Sequence, residues 1–164
     1  MSRFGSVLLV MVAIAVAGCG GPSGGNGSKC TSPTLLSRGT PVSASANAAN
    51  AKAVTDGDRN SLWNAGGYPP QWVEIDVGEA DLHHVTVIPE QTPAGYTEHR
   101  VLGITASGES RELGSLKGDT KSFGEFTLAV PDEAGRRIRK VRIETTKTPR
   151  SWVAWREVEV YGCR

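Results

Sequence analysis

The sequence carries no excess charge of either sign, 18 Lys and Arg standing against 17 Asp and Glu. Arg3 is the sole charged residue before position 19, so residues 19–164 hold 17 of each sign. A chain so balanced, with its bases interleaved among acids, lacks the field that nucleic acid or an anionic lipid surface requires, and neither is expected as a direct partner. Aromatics are scarce, three Phe, three Tyr and four Trp, while twenty Gly and nine Pro punctuate the chain, which points to short elements joined by many turns. No apolar run exceeds the eleven residues 7–17. As a helix that run reaches roughly 16 Å, about half the hydrocarbon core of a bilayer, and it cannot span one. At 164 residues the chain has room for one domain with appendages.

What is present at the start is an export signal. One positive charge, the apolar run and then Val16-Ala17-Gly18-Cys19 make a signal peptide over residues 1–18. Small residues followed directly by cysteine resemble the bacterial lipobox, which implies that the Cys19 thiol is acylated and becomes the new N-terminus of a 146-residue mature chain. Gly20 after the cysteine, where Asp is absent, resembles lipoproteins sent to the outer membrane. The expected localisation is therefore exported and lipid-anchored, at the outer membrane or cell surface. Residues 19–29 then form a tether: positions 20–29 read GGPSGGNGSK, half glycine with nothing to bury. Such a chain holds the domain roughly 17 Å from the lipid.

With Cys19 acylated, Cys30 and Cys163 are left to pair, in a compartment where disulfides persist, and they bracket the folded segment 30–164. Between them apolar residues alternate. Val73, Ile75 and Val77 share one strand face with Glu74 and Asp76 opposite, and Val85 and Val87 repeat the pattern. Further strands are expected through 101–105, 126–130, 141–145 and 158–160, with Gly or Pro in the gaps and no window for a long amphipathic helix. About eight short strands without intervening helices predict an all-β fold, an antiparallel β-sandwich.

Two segments go further. Asp56-Gly57-Asp58-Arg59-Asn60-Ser61-Leu62-Trp63 precedes Gln71-Trp72-Val73-Glu74-Ile75-Asp76-Val77-Gly78, and the chain closes on Trp155-Arg156-Glu157-Val158-Glu159-Val160-Tyr161-Gly162. In this order they resemble the discoidin family, the coagulation factor V/VIII C-type domains among the galactose-binding-like jelly rolls, over about residues 35 to 162. The resemblance implies a discoidin-like jelly roll whose binding sites lie on variable loops. In its carbohydrate-binding members it implies a structural calcium, held here by Asp56, Ser61 and Glu157, with Asp58 assisting by side chain or backbone. Oxygen donors of these kinds suit calcium. The twelfth position from Asp56 is Gly67, so the turn is no EF-hand. The same carboxylates also suit a metal-free turn in which they cap local amides.

Tyr68, between Gly66-Gly67 and Pro69-Pro70, and Tyr96, after Pro93-Ala94-Gly95, are expected on loop tips, where a ring can stack on a sugar or simply cap the packing; Trp152 is a third candidate. Trp63 and Trp72 are expected in the core. His83 and His84 are adjacent, so on a strand they face opposite ways and cannot chelate together. His99 stands apart. Arg136, Arg137, Arg139, Lys140 and Arg142 read as a solvated face. No strand-to-helix nucleophile elbow and no H-E-x-x-H pair occurs, and catalysis is not expected. The reading is a non-catalytic, lipid-anchored surface module that binds glycan, with a protein-docking or structural envelope lipoprotein of the same fold as the alternative.

Overall fold

The computed structural model describes residues 30–164. The signal peptide, Cys19 and the tether expected within residues 1–29 lie outside them. Ten elements follow one another: β1 (Thr34–Leu35), β2 (Val42–Ala44), a 3-10 helix (Ala48–Thr55), β3 (Trp63–Asn64), β4 (Gln71–Pro89), β5 (Gly95–Thr105), β6 (Ser110–Thr120), β7 (Phe126–Ala129), β8 (Ile138–Lys147) and β9 (Ala154–Cys163). Every pairing is antiparallel.

The expected break between 73–77 and 85–87 is absent: both runs belong to the single 19-residue β4. Its first half pairs with β2 and β8, and its second half with β7 and β9. The strand therefore crosses from one layer of the sandwich to the other. The crossing lies at Gly78, whose φ of 72° is a left-handed conformation open to glycine, within a register shift between Asp76 and Ala80. One layer runs β2-β4-β8-β5-β6; the other runs β7-β4-β9, with β1 and β3 on the far edge of β9.

The alternation read from the sequence sets the core. Val73, Ile75, Val77, Val85, Val87, Val141, Ile143, Val158 and Val160 are buried between the layers. Trp63 packs on Trp155 with ring centroids 5.5 Å apart, and its indole N–H donates to the Ala46 carbonyl. Trp72 departs from expectation. It lies on the outer side of β4, half-buried beneath the Arg142 guanidinium at 4.3 Å, because its inward neighbours Val73 and Ile75 claim the core face. The basic run lies outward as expected, each charge matched by an acid: Arg136 with Glu133, Arg137 with Glu79, Arg139 with Asp76, and Lys140 and Arg142 with Glu74. Burial pushes the Glu74 carboxyl up, and hydrogen bonds from Lys140 and Arg142 more than reverse this, leaving it below its ordinary range.

β4 doubles back, so both its ends reach one rim of the sandwich, where Gln71 pairs with Thr145 and Pro89 with Trp155. The bend lies at the opposite pole. There Asp81 pairs with Cys163, and Cys163 is bonded to Cys30, the pairing read from the sequence.

Candidate functional site

Four loops meet at the rim. Residues 65–70 join β3 to β4 and residues 148–153 join β8 to β9; the two are zipped by Val153 N–H donating to the Gly67 carbonyl and Ala65 N–H donating to the Val153 carbonyl. Residues 90–94 follow β4, and the buried Gln91 amide donates to Ser151 Oγ at 2.6 Å and to the Pro93 carbonyl at 2.8 Å. Residues 121–125 follow β6: Phe123 N–H donates to the Pro89 carbonyl, and Ser122 Oγ donates to the Glu90 carboxylate. Main-chain and side-chain hydrogen bonds thus tie each loop to the next, although none of the rim is regular structure.

Of the five large hydrophobic side chains exposed among the described residues, Tyr68 (60%), Trp152 (53%), Phe123 (52%) and Tyr96 (42%) stand on or beside these loops. Tyr68, Pro69, Lys147, Thr148 and Arg150 line a shallow depression of about 410 Å³ between the first two loops. Tyr68 and Trp152 are on loops as expected. Tyr96 is not: it is the second residue of β5, paired with Asp119, and Lys147 Nζ lies 5.0 Å from its ring centre. Extended pairing with β6 begins at Gly95, where a Cβ would come within 2.8 Å of Pro149, so the sequence's turn signal ends one residue earlier than it suggests.

Phe123 was not singled out by the sequence. It holds φ at 61°, a conformation bulky residues rarely adopt, and Arg156 lies against one face of its ring. An isolated aromatic within the polar stretch 117–125 is the signal that marks it, the same signal that marks Tyr68.

Behind the rim, the turn after the 3-10 helix gathers oxygen atoms. Ser61 Oγ lies 2.9 Å from Asp56 Oδ2, 3.0 Å from the Asp58 carbonyl and 3.2 Å from the Ala53 carbonyl. A hydroxyl has one proton, so it satisfies one of these three acceptors and the others crowd without a shared hydrogen. Asp58 turns its carboxylate outward to cap Asn60 N–H, leaving its main-chain carbonyl facing the cluster. Gly57 takes φ of 83° there, and a Cβ on it would collide with Arg38. Glu157 reaches in from β9, fully buried, and accepts the Gly57 N–H at 3.3 Å. Burial pushes its carboxyl up to about 7, against the pull of the Gly57 N–H and Arg38 and with a push from Asp56 and Glu159. Carboxylate, hydroxyl and carbonyl oxygens with spacings near 3 Å, and a buried carboxyl short of positive charge, form a donor set that fits a hard divalent cation. Among the described residues no three His, Cys, Asp or Glu side chains converge as a metal site; this cluster has two carboxylates, and its other oxygens are hydroxyl and carbonyl.

Arg156 links the two regions. Its Nε donates to Glu90 at 2.7 Å and its Nη1 to the Arg59 carbonyl at 2.9 Å, so the oxygen-rich turn and the rim share one guanidinium. Burial pushes the Glu90 carboxyl up, but the hydrogen bonds from Ser122 and Arg156 hold it below its ordinary range.

No protein-family model matches the chain, and no curated protein matches it. Solved structures do. A family 32 carbohydrate-binding module from Clostridium perfringens NanJ, in complex with galactose, superposes with a TM-score of 0.65 at 14% identity, covering 79% of this chain and 98% of that one. A second C. perfringens module, CpGH89CBM32-4, in complex with GlcNAc-α-1,4-galactose, gives 0.65 at 20% identity, with coverage of 80% and 96%. Chitosan-binding module 1 from a chitosanase/glucanase of Paenibacillus sp. IK-5 gives 0.64 at 19% identity, with coverage of 78% and 98%. Described residues 30–164 thus have the fold of these modules, a jelly-roll β-sandwich, which is the fold that the resemblance of the two sequence segments implies.

Proposed function

We propose that the chain is a non-catalytic carbohydrate-binding module carried on a lipid-anchored surface protein, that Tyr68 and Trp152 are its stacking platform, and that one calcium ion stiffens the turn behind it. The observation that carries the reading is the concentration of exposed aromatic rings on three of the four cross-tied loops at one rim, with Lys147, Thr148 and Arg150 beside Tyr68 as hydrogen-bonding partners. Flat apolar rings next to polar side chains suit a sugar, which has an apolar face and a hydroxyl edge. The similar modules in complex with galactose-containing sugars add to it. Tyr96 and Phe123 flank the platform, each with a cation against its ring.

Calcium would be held by Asp56, Ser61, Glu157 and the carbonyls of Ala53 and Asp58, and would supply the positive charge that the buried Glu157 carboxyl lacks. The chain's own part is to bind and orient. Acylation of Cys19 would attach the module to the lipid through the pole where Cys30 stands, opposite the rim.

The test is a binding screen of the full-length protein, displayed multivalently, against galactose, GlcNAc-α-1,4-galactose and chitosan oligosaccharides. Trp152→Ala and Tyr68→Ala should each lower affinity for a hit about tenfold or more with unchanged melting temperature. Absence of saturable binding by the folded, oxidised protein would overturn the reading and favour a protein partner at the same rim.

A further inference from the structure

Adjacent residues on a strand point to opposite faces, so His83 and His84 should diverge. They do not. Between Leu82, opposite Gly162, and His84, opposite Tyr161, the β4–β9 register slips by one residue, and His83 is the residue bulged out. The bulge re-aims its imidazole onto the outer face that His84 occupies. The two Nδ1 atoms lie 2.8 Å apart, with ring centroids 5.0 Å apart and planes at 80°. His84 is stacked on the Tyr161 ring at 4.3 Å and 10°, which fixes its orientation. Tyr161 in turn donates to Glu159 at 3.2 Å, a carboxylate on the same face.

We propose that His83 and His84 form a two-nitrogen chelate for cupric ion on the flank of the sandwich, separate from the rim and from the oxygen cluster. In the metal-free pair this separation is a hydrogen bond between the two rings, and loss of its shared proton leaves two nitrogens at the spacing of a cis chelate. With metal–nitrogen bonds of about 2.0 Å, two atoms 2.8 Å apart subtend an angle of about 90°, the cis angle of a tetragonal centre, whereas a tetrahedral ion needs about 3.3 Å. Tetragonal geometry and imidazole ligands favour Cu(II), then Ni(II), over Zn(II). Solvent completes the coordination, His83 being exposed. The third histidine of the chain, His99, is 2% exposed in the core and cannot compete.

The test titrates full-length protein with glycine-buffered Cu(II) at saturating calcium, read by calorimetry and electron paramagnetic resonance. One equivalent should bind with a tetragonal spectrum showing imidazole nitrogen couplings, tighter than Ni(II) and Zn(II). His83→Gln, at an exposed position, should keep the melting temperature of the metal-free protein and lower Cu(II) affinity at least about tenfold through loss of one arm of the chelate. Equal Cu(II) uptake by the parent and His83→Gln would overturn the site and reduce the pair to a shared-proton hydrogen bond. Zn(II) binding as tight as Cu(II) would overturn the geometric assignment.

Discussion

The guanidinium of Arg156 lies 3.7 Å from the centre of the Phe123 ring while its nitrogens hold Glu90 and the Arg59 carbonyl. One side chain, 12% exposed, therefore joins two rim loops to the oxygen-rich turn. Arg156→Ala removes the cationic partner of the largely covered Glu90 carboxylate, leaving it the Ser122 hydroxyl, and should cost about 2 kcal/mol in urea unfolding. Arg156→Lys keeps the charge but loses the fork, and should recover only part of that. A change below 0.5 kcal/mol for the alanine variant would mean that the loops are held without it.

Calcium bound to the folded state alone raises stability by mass action, about 2.7 kcal/mol at a hundredfold excess over its dissociation constant. The melting temperature of the parent should rise in calcium and fall on addition of chelator. Asp56→Ala should melt lower in calcium and show no response to chelator. Identical melting of the parent in both conditions would remove the metal from the account.

His99 is buried between Thr145 Oγ1 at 2.9 Å and Thr97 Oγ1 at 3.0 Å, and burial pushes its pKa down to about 4. The unfolded chain takes up that proton near the ordinary value of 6.5, and the folded chain does so only near 4. Stability should therefore fall as pH drops from about 6.5 to about 4, by on the order of 3 kcal/mol from this group alone. Urea unfolding at pH 7, 5.5 and 4.5 should show a shallower loss for His99→Gln than for the parent across that window. Parallel curves would refute the assignment.

Cys30 and Cys163 close a loop of 133 residues. On the chain-entropy model, opening it by Cys30→Ser with Cys163→Ser should lower stability by as much as about 5 kcal/mol. Glycan binding by whatever fraction remains folded should be unaffected, because the rim lies at the other pole. A loss of affinity out of step with the loss of folded protein would contradict this separation.

The parts of the fold legible in the sequence are those with a two-residue period. Val73, Ile75 and Val77, and again Val158 and Val160, announce their strands, and the two cysteines announce their bond. β6 was not legible because its buried Leu113 and Leu116 are three apart, a spacing produced where the β5 register slips between Val101 and Leu102. The same kind of slip hides the histidine pair. A bulge is a property of two strands together, and neither strand's sequence carries it alone. In the candidate site, the oxygen cluster was legible through Asp56, Ser61 and Glu157, which the fold brings together from positions a hundred residues apart. Phe123 escaped because a left-handed Phe contradicts local propensity and is held by Arg156, a contact between segments distant in sequence.

β9 starts at the rim with Ala154 and ends at Cys163, so it would directly link a ligand bound at the proposed site to the chain at Cys30. Tension between these poles runs along the strand, nearly perpendicular to the hydrogen bonds that join β9 to β4. Those bonds are loaded together in shear rather than opened one at a time as in peeling. The disulfide keeps the 133-residue loop out of the load path, so a pull that enters through a neighbouring strand reaches Cys30 only across the whole β9 interface, while one that enters at Trp152 passes along β9 itself.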